Sequence, residues 1–202
     1  MNKHFKPSHP VSPNSSNRVR IIGGEWRSRM IAFPDAAGLR PTASRVRETL
    51  FNWLGQTLHE RRCLDLFAGS GALGFEAASR GAADVVLVEC NPAAVQALRR
   101  NKEMLFADTC RIVPGEAMDF LARDRGPYDI VFLDPPFASG ILPKLLAAVV
   151  PHLAADGLLY VEWGMPITEV LMQLPERPWQ ILKQGKAGVV HFALLSTAKG
   201  AS

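Results

Sequence analysis

The stretch IVFLDPPF, residues 130–137, ends an apolar run on a carboxylate, two prolines and an aromatic ring. Proline has no N–H and holds the chain extended. The carbonyls of Asp134 and Pro135 therefore lack the partners a helix would give them, and Pro136 keeps the turn stiff. A rigid group of acceptors suits a weak amine nucleophile. The exocyclic amine of a nucleobase delocalises its lone pair into the ring. If Asp134 and the Pro135 carbonyl accept its two N–H groups, the nitrogen is drawn toward pyramidal geometry and its lone pair turns toward an electrophile. Phe137 then stacks on the base and holds it still. Asp-Pro-Pro alone reads as a rigid structural turn, so its chemistry depends on the motifs around it.

Residues 64–78, LDLFAGSGALGFEAA, place Gly69, Gly71 and Gly74 just after Phe67, in a loop between an apolar run and a helical one. Glycines let a loop turn sharply and let a ligand approach its amides at the C-terminal edge of a sheet. Taken literally, GSGALG is GxGxxG, a dinucleotide fingerprint. The neighbouring charge favours another ligand. Asp65, four residues before Gly69, repels a pyrophosphate and attracts a cationic sulfonium amino acid. This points to S-adenosylmethionine (SAM), with Asp65 or the loop it braces at the methionine end; an aspartate that only caps the loop is the structural alternative. Glu89 ends VVLVE, where a carboxylate accepts both hydroxyls of a ribose, and Cys90 follows at the same tip. Glu116 and Ala117, after the next strand, come near the adenine, or Glu116 is an exposed helix-start residue favoured by the dipole.

These residues need a scaffold that gathers strand ends at one edge. From residue 62 the chain alternates strand and helix: RCLDLFA, then ALGFEAASRG closed by Gly81, DVVLVE, a helix starting at Pro92, CRIV, EAMDFLARD, YDIVFLD, a proline-interrupted helix over 141–153, and GLLYVEW. Apolar runs that turn polar only at their C-terminal ends are what a parallel sheet covered on both faces demands, so a doubly wound α/β sheet is expected. After a helix near 166–173, WQILKQGKAGVVHFALLS has two strand-like runs joined across GKAG with no room for a crossover helix. They must pair antiparallel.

The chain has 202 residues, 48% of them hydrophobic, enough for one core with a small appendage. No apolar run approaches the roughly 20 residues that cross a bilayer, and the first seventeen lack the apolar centre of a secretion signal, so a cytoplasmic protein with no membrane partner is expected. Cys63, Cys90 and Cys110 have no metal-like spacing; no metal is expected, and all three are read as reduced and mostly buried thiols. Residues 1–62 carry 11 Lys/Arg against 4 Asp/Glu, and the remainder carries 12 against 15. This asymmetry suits a polyanion, or simply a solvated face. Residues 1–17, rich in Pro, Ser and Asn, read as a disordered tail. Residues 18–38 read as a basic β-hairpin turning at Gly23-Gly24, with Arg18, Arg20, Arg27 and Arg29 spaced by two so that each pair shares a strand face. Residues 39–202 form the main domain. Its first helix follows Pro41 and Thr42, with Val46, Leu50, Phe51 and Leu54 on one side.

The antiparallel end resembles the seven-stranded, Rossmann-like fold of class I SAM-dependent methyltransferases, and DPPF is similar to the [D/N/S]PP[Y/F/W] motif of amino-group methyltransferases. Together, GGEWRSR, LRPTASRVRETLFNWL, DLFAGSGALGFEAASRGA, VVLVECN and FLDPPF resemble the RsmD family of ribosomal RNA guanine-N2 methyltransferases, over roughly residues 18–196. The resemblance implies methylation of the exocyclic N2 of one guanine, of the guanine 966 type, in 16S rRNA, within an assembled or partly assembled small subunit, by a monomer using SAM. It implies that Gly69, Gly71 and Glu89 hold SAM, that Asp134 through Phe137 grip the flipped guanine, and that Thr42 with Arg47 close over cofactor or base. Arg27, Arg29, Arg40 and Arg45 are candidates for the RNA face beside Arg18 and Arg20; Arg45 and Arg47 alternatively make helix-surface pairs with Glu48. An adenine-N6 methyltransferase shares the DPPF chemistry but usually needs a target-recognition domain, for which no stretch is long enough. A non-enzymatic nucleotide- or RNA-binding protein would need only GSGALG and the arginines.

Overall fold

The computed structural model describes residues 16–34, 42–137, 140–174 and 179–197. Two short strands, β1 (Ser16–Arg20) and β2 (Met30–Pro34), pair antiparallel as a ribbon ahead of α1 (Ser44–Leu54). Then follow β3 (Arg62–Asp65), α2 (Ala72–Ser79), β4 (Asp84–Glu89), α3 (Pro92–Leu105), β5 (Cys110–Pro114), α4 (Ala117–Arg123), β6 (Tyr128–Leu133), α5 (Leu142–Val149), β7 (Leu153–Trp163), α6 (Ile167–Met172), β8 (Trp179–Ala187) and β9 (Val190–Thr197). β3 to β9 form one sheet in the order β5-β4-β3-β6-β7-β9-β8. It is parallel from β5 to β7, with β9 antiparallel to both its neighbours. Residues of α1, α2 and α3 pack with the ribbon against one face of the sheet, and those of α4, α5 and α6 against the other. This is the expected architecture. No described helix is long and apolar enough to cross a membrane.

Winding runs outward from β3 to β5 and resumes on the other side of β3 at β6. The direction therefore switches between β3 and β6, where a crevice opens beyond the strand ends.

Three local expectations change. Gly23-Gly24 predicts a tight turn, with Arg27 and Arg29 on a strand; instead residues 21–29 form a long loop laid on the end of α2. The Ile22 and Gly23 N–H groups donate to the Glu76 carboxylate, each at 2.8 Å, and the Trp26 N–H donates to Ser79 Oγ at 2.9 Å. Gly24 sits at φ 76°, and a Cβ there would run into the Ser79 carbonyl. A long-range carboxylate has taken the amides that a two-residue turn would have paired across the ribbon. The ribbon also begins at Ser16, inside the stretch read as tail, because Ser16 and Asn17 pair with Pro34 and Phe33. Asn101 of α3 fastens β2 like a further strand, accepting from Ala32 N–H and donating to its carbonyl. At the other end of the chain, only the last residue of GKAG lies in the turn. Gly185 to Ala187 stay in β8, where Gly185 lets the Phe192 ring close in, and the turn falls on Gly188, at φ 61°.

Candidate active site

Asp65, at the end of β3, is 2% exposed and accepts from the Gly74 N–H at 3.0 Å. Burial pushes its carboxyl up to about 7; the Gly74 and Phe67 N–H groups oppose the shift, and the Glu89 charge adds to it. Asp65 thus braces the loop from beneath. Gly74 packs the helix onto the sheet, since a Cβ there would meet Leu87 at 2.7 Å. Gly69 and Gly71 have φ of 50° and 79°, and half-buried Phe67 leads into them.

Gly71 was expected to admit a ligand, yet a Cβ on it would face the protein, 2.5 Å from the Phe75 ring and 2.7 Å from Leu98. Its smallness shapes the loop. Gly71→Val is expected to destabilise the protein by about 2–4 kcal/mol through overpacking and left-handed strain, with weaker cofactor binding as a consequence. Thermal unfolding of cofactor-free protein checks this, and an unchanged midpoint would return Gly71 to a ligand-facing role.

Glu89 closes β4, 8% exposed. Its Oε2 accepts from Gly69 N–H and its Oε1 from Asn91 N–H, each at 2.7 Å. The carboxylate is thereby fixed, and each oxygen retains capacity for a further donor such as a ribose hydroxyl. Cys90, expected among the buried thiols, is exposed. Partial burial and the charges of Glu89 and Glu116 raise its pKa, and it hydrogen-bonds Glu116. Glu116 heads α4 without capping it, whereas Ala117 is buried beneath. Cys63 and Cys110 are buried, and burial pushes the Cys110 thiol up to about 12.

Across the crevice, Asp134 follows β6. Its carboxyl lies near Asp65 and Glu162 and hydrogen-bonds Thr42; burial first, then the Glu162 and Asp65 charges, drive its pKa well above the carboxylate range. Pro135 is buried, while Pro136 and Phe137 face solvent. The Phe137 ring meets Trp163 edge-on at 5.5 Å, and Gly164 leaves room for it: a Cβ there would lie 3.2 Å from the ring. Tyr160 Oη donates to Glu162 Oε1 at 2.8 Å. Three residues of β7 thus stand behind DPPF. LLYVEW betrayed them only by a carboxylate at a strand end, the same signal that marks Glu89 and Asp134.

Thr42 reaches the site, but Arg47 does not share the role expected of it. The Arg47 side chain is 1% exposed; it donates to the carbonyls of Thr42 and Arg20 at 3.2 and 2.9 Å and lies 3.6 Å from Glu76. Burial lowers its pKa, while Glu76 and Glu48 hold it up. Its donors serve the chain, tying the ribbon and the Thr42 segment to α2. Among the expected RNA-facing residues, Arg18 and Arg20 flank buried Val19 on one face of β1, and Arg27, Arg29 and Arg45 are exposed. Arg40 lies outside the described residues.

Residues 19–196 match a family model described as conserved hypothetical protein 95. Ribosomal RNA small subunit methyltransferase D of Escherichia coli K12 is 45% identical over 193 residues, covering 94% of this chain and 93% of its own. The protein of that name from Haemophilus influenzae is 38% identical, covering 91% and 96%. Among solved structures, the yhhF protein of E. coli superposes with a TM-score of 0.78 at 42% identity, covering 90% of this chain and 98% of its own. A methyltransferase-type structure solved with SAH, SMU.776, shares the fold at TM-score 0.72 and 17% identity. With a strand-end aspartate beside a braced glycine loop, and with identity of this extent along nearly its whole length, the chain belongs to the ribosomal RNA small subunit methyltransferase D family.

Proposed function

We propose that this chain transfers a methyl group from SAM to the exocyclic N2 amine of one guanine in 16S rRNA, of the guanine 966 type, within an assembled or partly assembled small subunit. One observation supports this most: the glycine loop held by Glu89 and the Asp134–Phe137 turn follow the neighbouring strands β3 and β6, with Asp134 close enough to Asp65 to feel its charge. The residues present fit SAM. The loop is held by left-handed glycines, Glu89 offers two fixed oxygens to a diol, and the acidic surroundings of Asp65 and Asp134 favour a cation over a pyrophosphate. When bound, SAM supplies an electrophilic methyl group on its sulfonium.

The chain's own residues do the rest. Asp134 and the Pro135 carbonyl accept the amine's N–H groups and aim its lone pair. Phe137, braced by Trp163, stacks against the extruded base, whose edge is out of reach inside a helix. Exposed Arg18, Arg20, Arg27, Arg29 and Arg45 contact flanking phosphates. The test is mass mapping of 16S rRNA from cells with and without the gene. One methylguanine is expected to disappear and to be restored by purified protein with SAM; unchanged rRNA would overturn the reading, and a lost adenine methyl would redirect it.

Arg27→Glu with Arg29→Glu is expected to weaken rRNA binding and to flatten the dependence of log K on log salt by roughly 1–2, about the share of two phosphate contacts. Binding titrations at several salt concentrations check this. An unaltered slope would remove the loop from the RNA face.

A further inference from the structure

Strands β6 and β7 run parallel with Phe132 opposite Tyr160 and Leu133 opposite Val161. The next residues are Asp134, just past the end of β6, and Glu162, beside it and still within β7. Glu162 is 4% exposed and Tyr160 is 0% exposed. Tyr160 Oη donates to Glu162 Oε1 at 2.8 Å, and the Thr42 hydroxyl hydrogen-bonds both carboxyls. Among the described residues, the other groups facing the pair are Asp65 from β3 and, in register with Glu162 on β9, the apolar Phe192. None of these neighbours is a cation.

A threonine hydroxyl has one hydrogen to give. If both carboxyls were ionised, one would face Thr42 with no donor from it, beside a like charge and out of water. One proton on the far oxygen of Glu162 completes a directed chain. Tyr160 then donates to Glu162, Glu162 donates to Thr42, and Thr42 donates to Asp134. We propose that Glu162 is a positioning residue that carries the single proton of this pair and, through Thr42, presents Asp134 as an oriented anion to the target amine. This rests on Asp134 being the acceptor for that amine. The proton belongs on Glu162 during transfer because Glu162 is the more buried of the two, whereas Asp134 must keep its lone pairs open at the crevice. Burial raises both carboxyls above their usual range, in line with a pair that keeps one proton.

Two variants separate this role from simple packing. Glu162→Ala breaks the chain and is expected to lower kcat about 10²-fold, the scale set by misplacing a reacting group. Glu162→Gln rebuilds it, its oxygen accepting from Tyr160 and its amide donating to Thr42, and is expected to recover most of that loss. Glu162→Gln replaces one neutral group by another, so Asp134 ionises at the pH it does in the parent protein. Because Asp134 acts as the anion, the acid limb of the kcat profile stays in place as well. The closing experiment follows the side-chain carboxyl ¹³C signals of Asp and Glu against pH in free protein, without RNA or SAM, alongside thermal unfolding of each variant. Expected is an Asp134 transition at the same pH in Glu162→Gln as in the parent protein. An Asp134 transition that falls to lower pH would show Glu162 to be the charged partner and overturns the proposal, as does a folded Glu162→Gln as inactive as Glu162→Ala. If the carboxyl signals are coupled as described but Asp134→Ala still methylates, the pair stands and the reading of Asp134 as the amine's acceptor fails instead.

Discussion

Asp134→Ala lowers kcat for methyl transfer by about 10³-fold, the upper end of what loss of one preorganised charge-stabilising group costs, and leaves SAM affinity within a few-fold of the original. The asymmetry follows from position. Groups that fit the cofactor gather at β3 and β4, where Asp65 holds Gly74 and Glu89 holds Gly69, whereas Asp134 lies past β6 with its carboxyl toward Thr42 and Glu162. The substitution should also raise thermal stability slightly. Ionised Asp134 is disfavoured in the fold, by burial above all, so neutral pH makes it a net cost that alanine removes. Single-turnover transfer to rRNA, calorimetric SAM titration and a melting curve check the three parts. An inactive variant that is also less stable would be a folding defect, and an active one would remove Asp134 from the chemistry. Asp134→Asn keeps one acceptor oxygen without the charge and should fall between the two.

What could be read from the sequence was local. Asp65, Glu89 and Asp134 stand out because each ends an apolar run, and a buried strand turns polar only where it leaves the sheet. The strand–helix alternation and the closing antiparallel pair follow from the same periodicity and from loop lengths too short for a crossover. What stayed hidden depends on partners far along the chain. Glu76 sits in ALGFEAASRG like any helix glutamate, yet α2 is buried on all sides, and its carboxylate captures amides at Ile22 and Gly23. That capture turned an expected two-residue hairpin into a long loop. Arg47 matched a motif and was assigned to the ligand, but no local pattern could say that Thr42, Arg20 and Glu76 would use its donors. Tyr160, Glu162 and Trp163 passed as ordinary strand residues because only the β6–β7 register shows what they stand beside.

The Glu76 network yields the largest expected effect on stability. Its carboxylate is 0% exposed; it accepts from two loop amides and from Arg80 Nε at 3.0 Å, and it pairs with Arg80 at 2.9 Å and with Arg47 at 3.6 Å. Arg80 in turn lies over the Phe51 ring at 4.7 Å and reaches the Gln56 side chain. Glu76→Ala leaves two buried guanidinium groups without their counter-charge and two amides without an acceptor. Breaking a buried pair from one side costs about 3–5 kcal/mol, which for a chain of this size lowers the melting temperature by roughly 6–20 °C. The loss should be felt first in the ribbon, so the Ile22 and Gly23 amides should exchange faster in hydrogen-exchange measurements even well below the melting point. Because Arg27 and Arg29 ride on the same loop, rRNA binding should weaken while the hydrogen bonds of Asp65 to Gly74 and of Glu89 to Gly69 persist. A melting temperature lowered by under about 2 °C, below what even one kcal/mol would produce, would mean that water or a shifted loop replaces the carboxylate. The ribbon would then be held by Asn101 and apolar packing, with Glu76 incidental to its place.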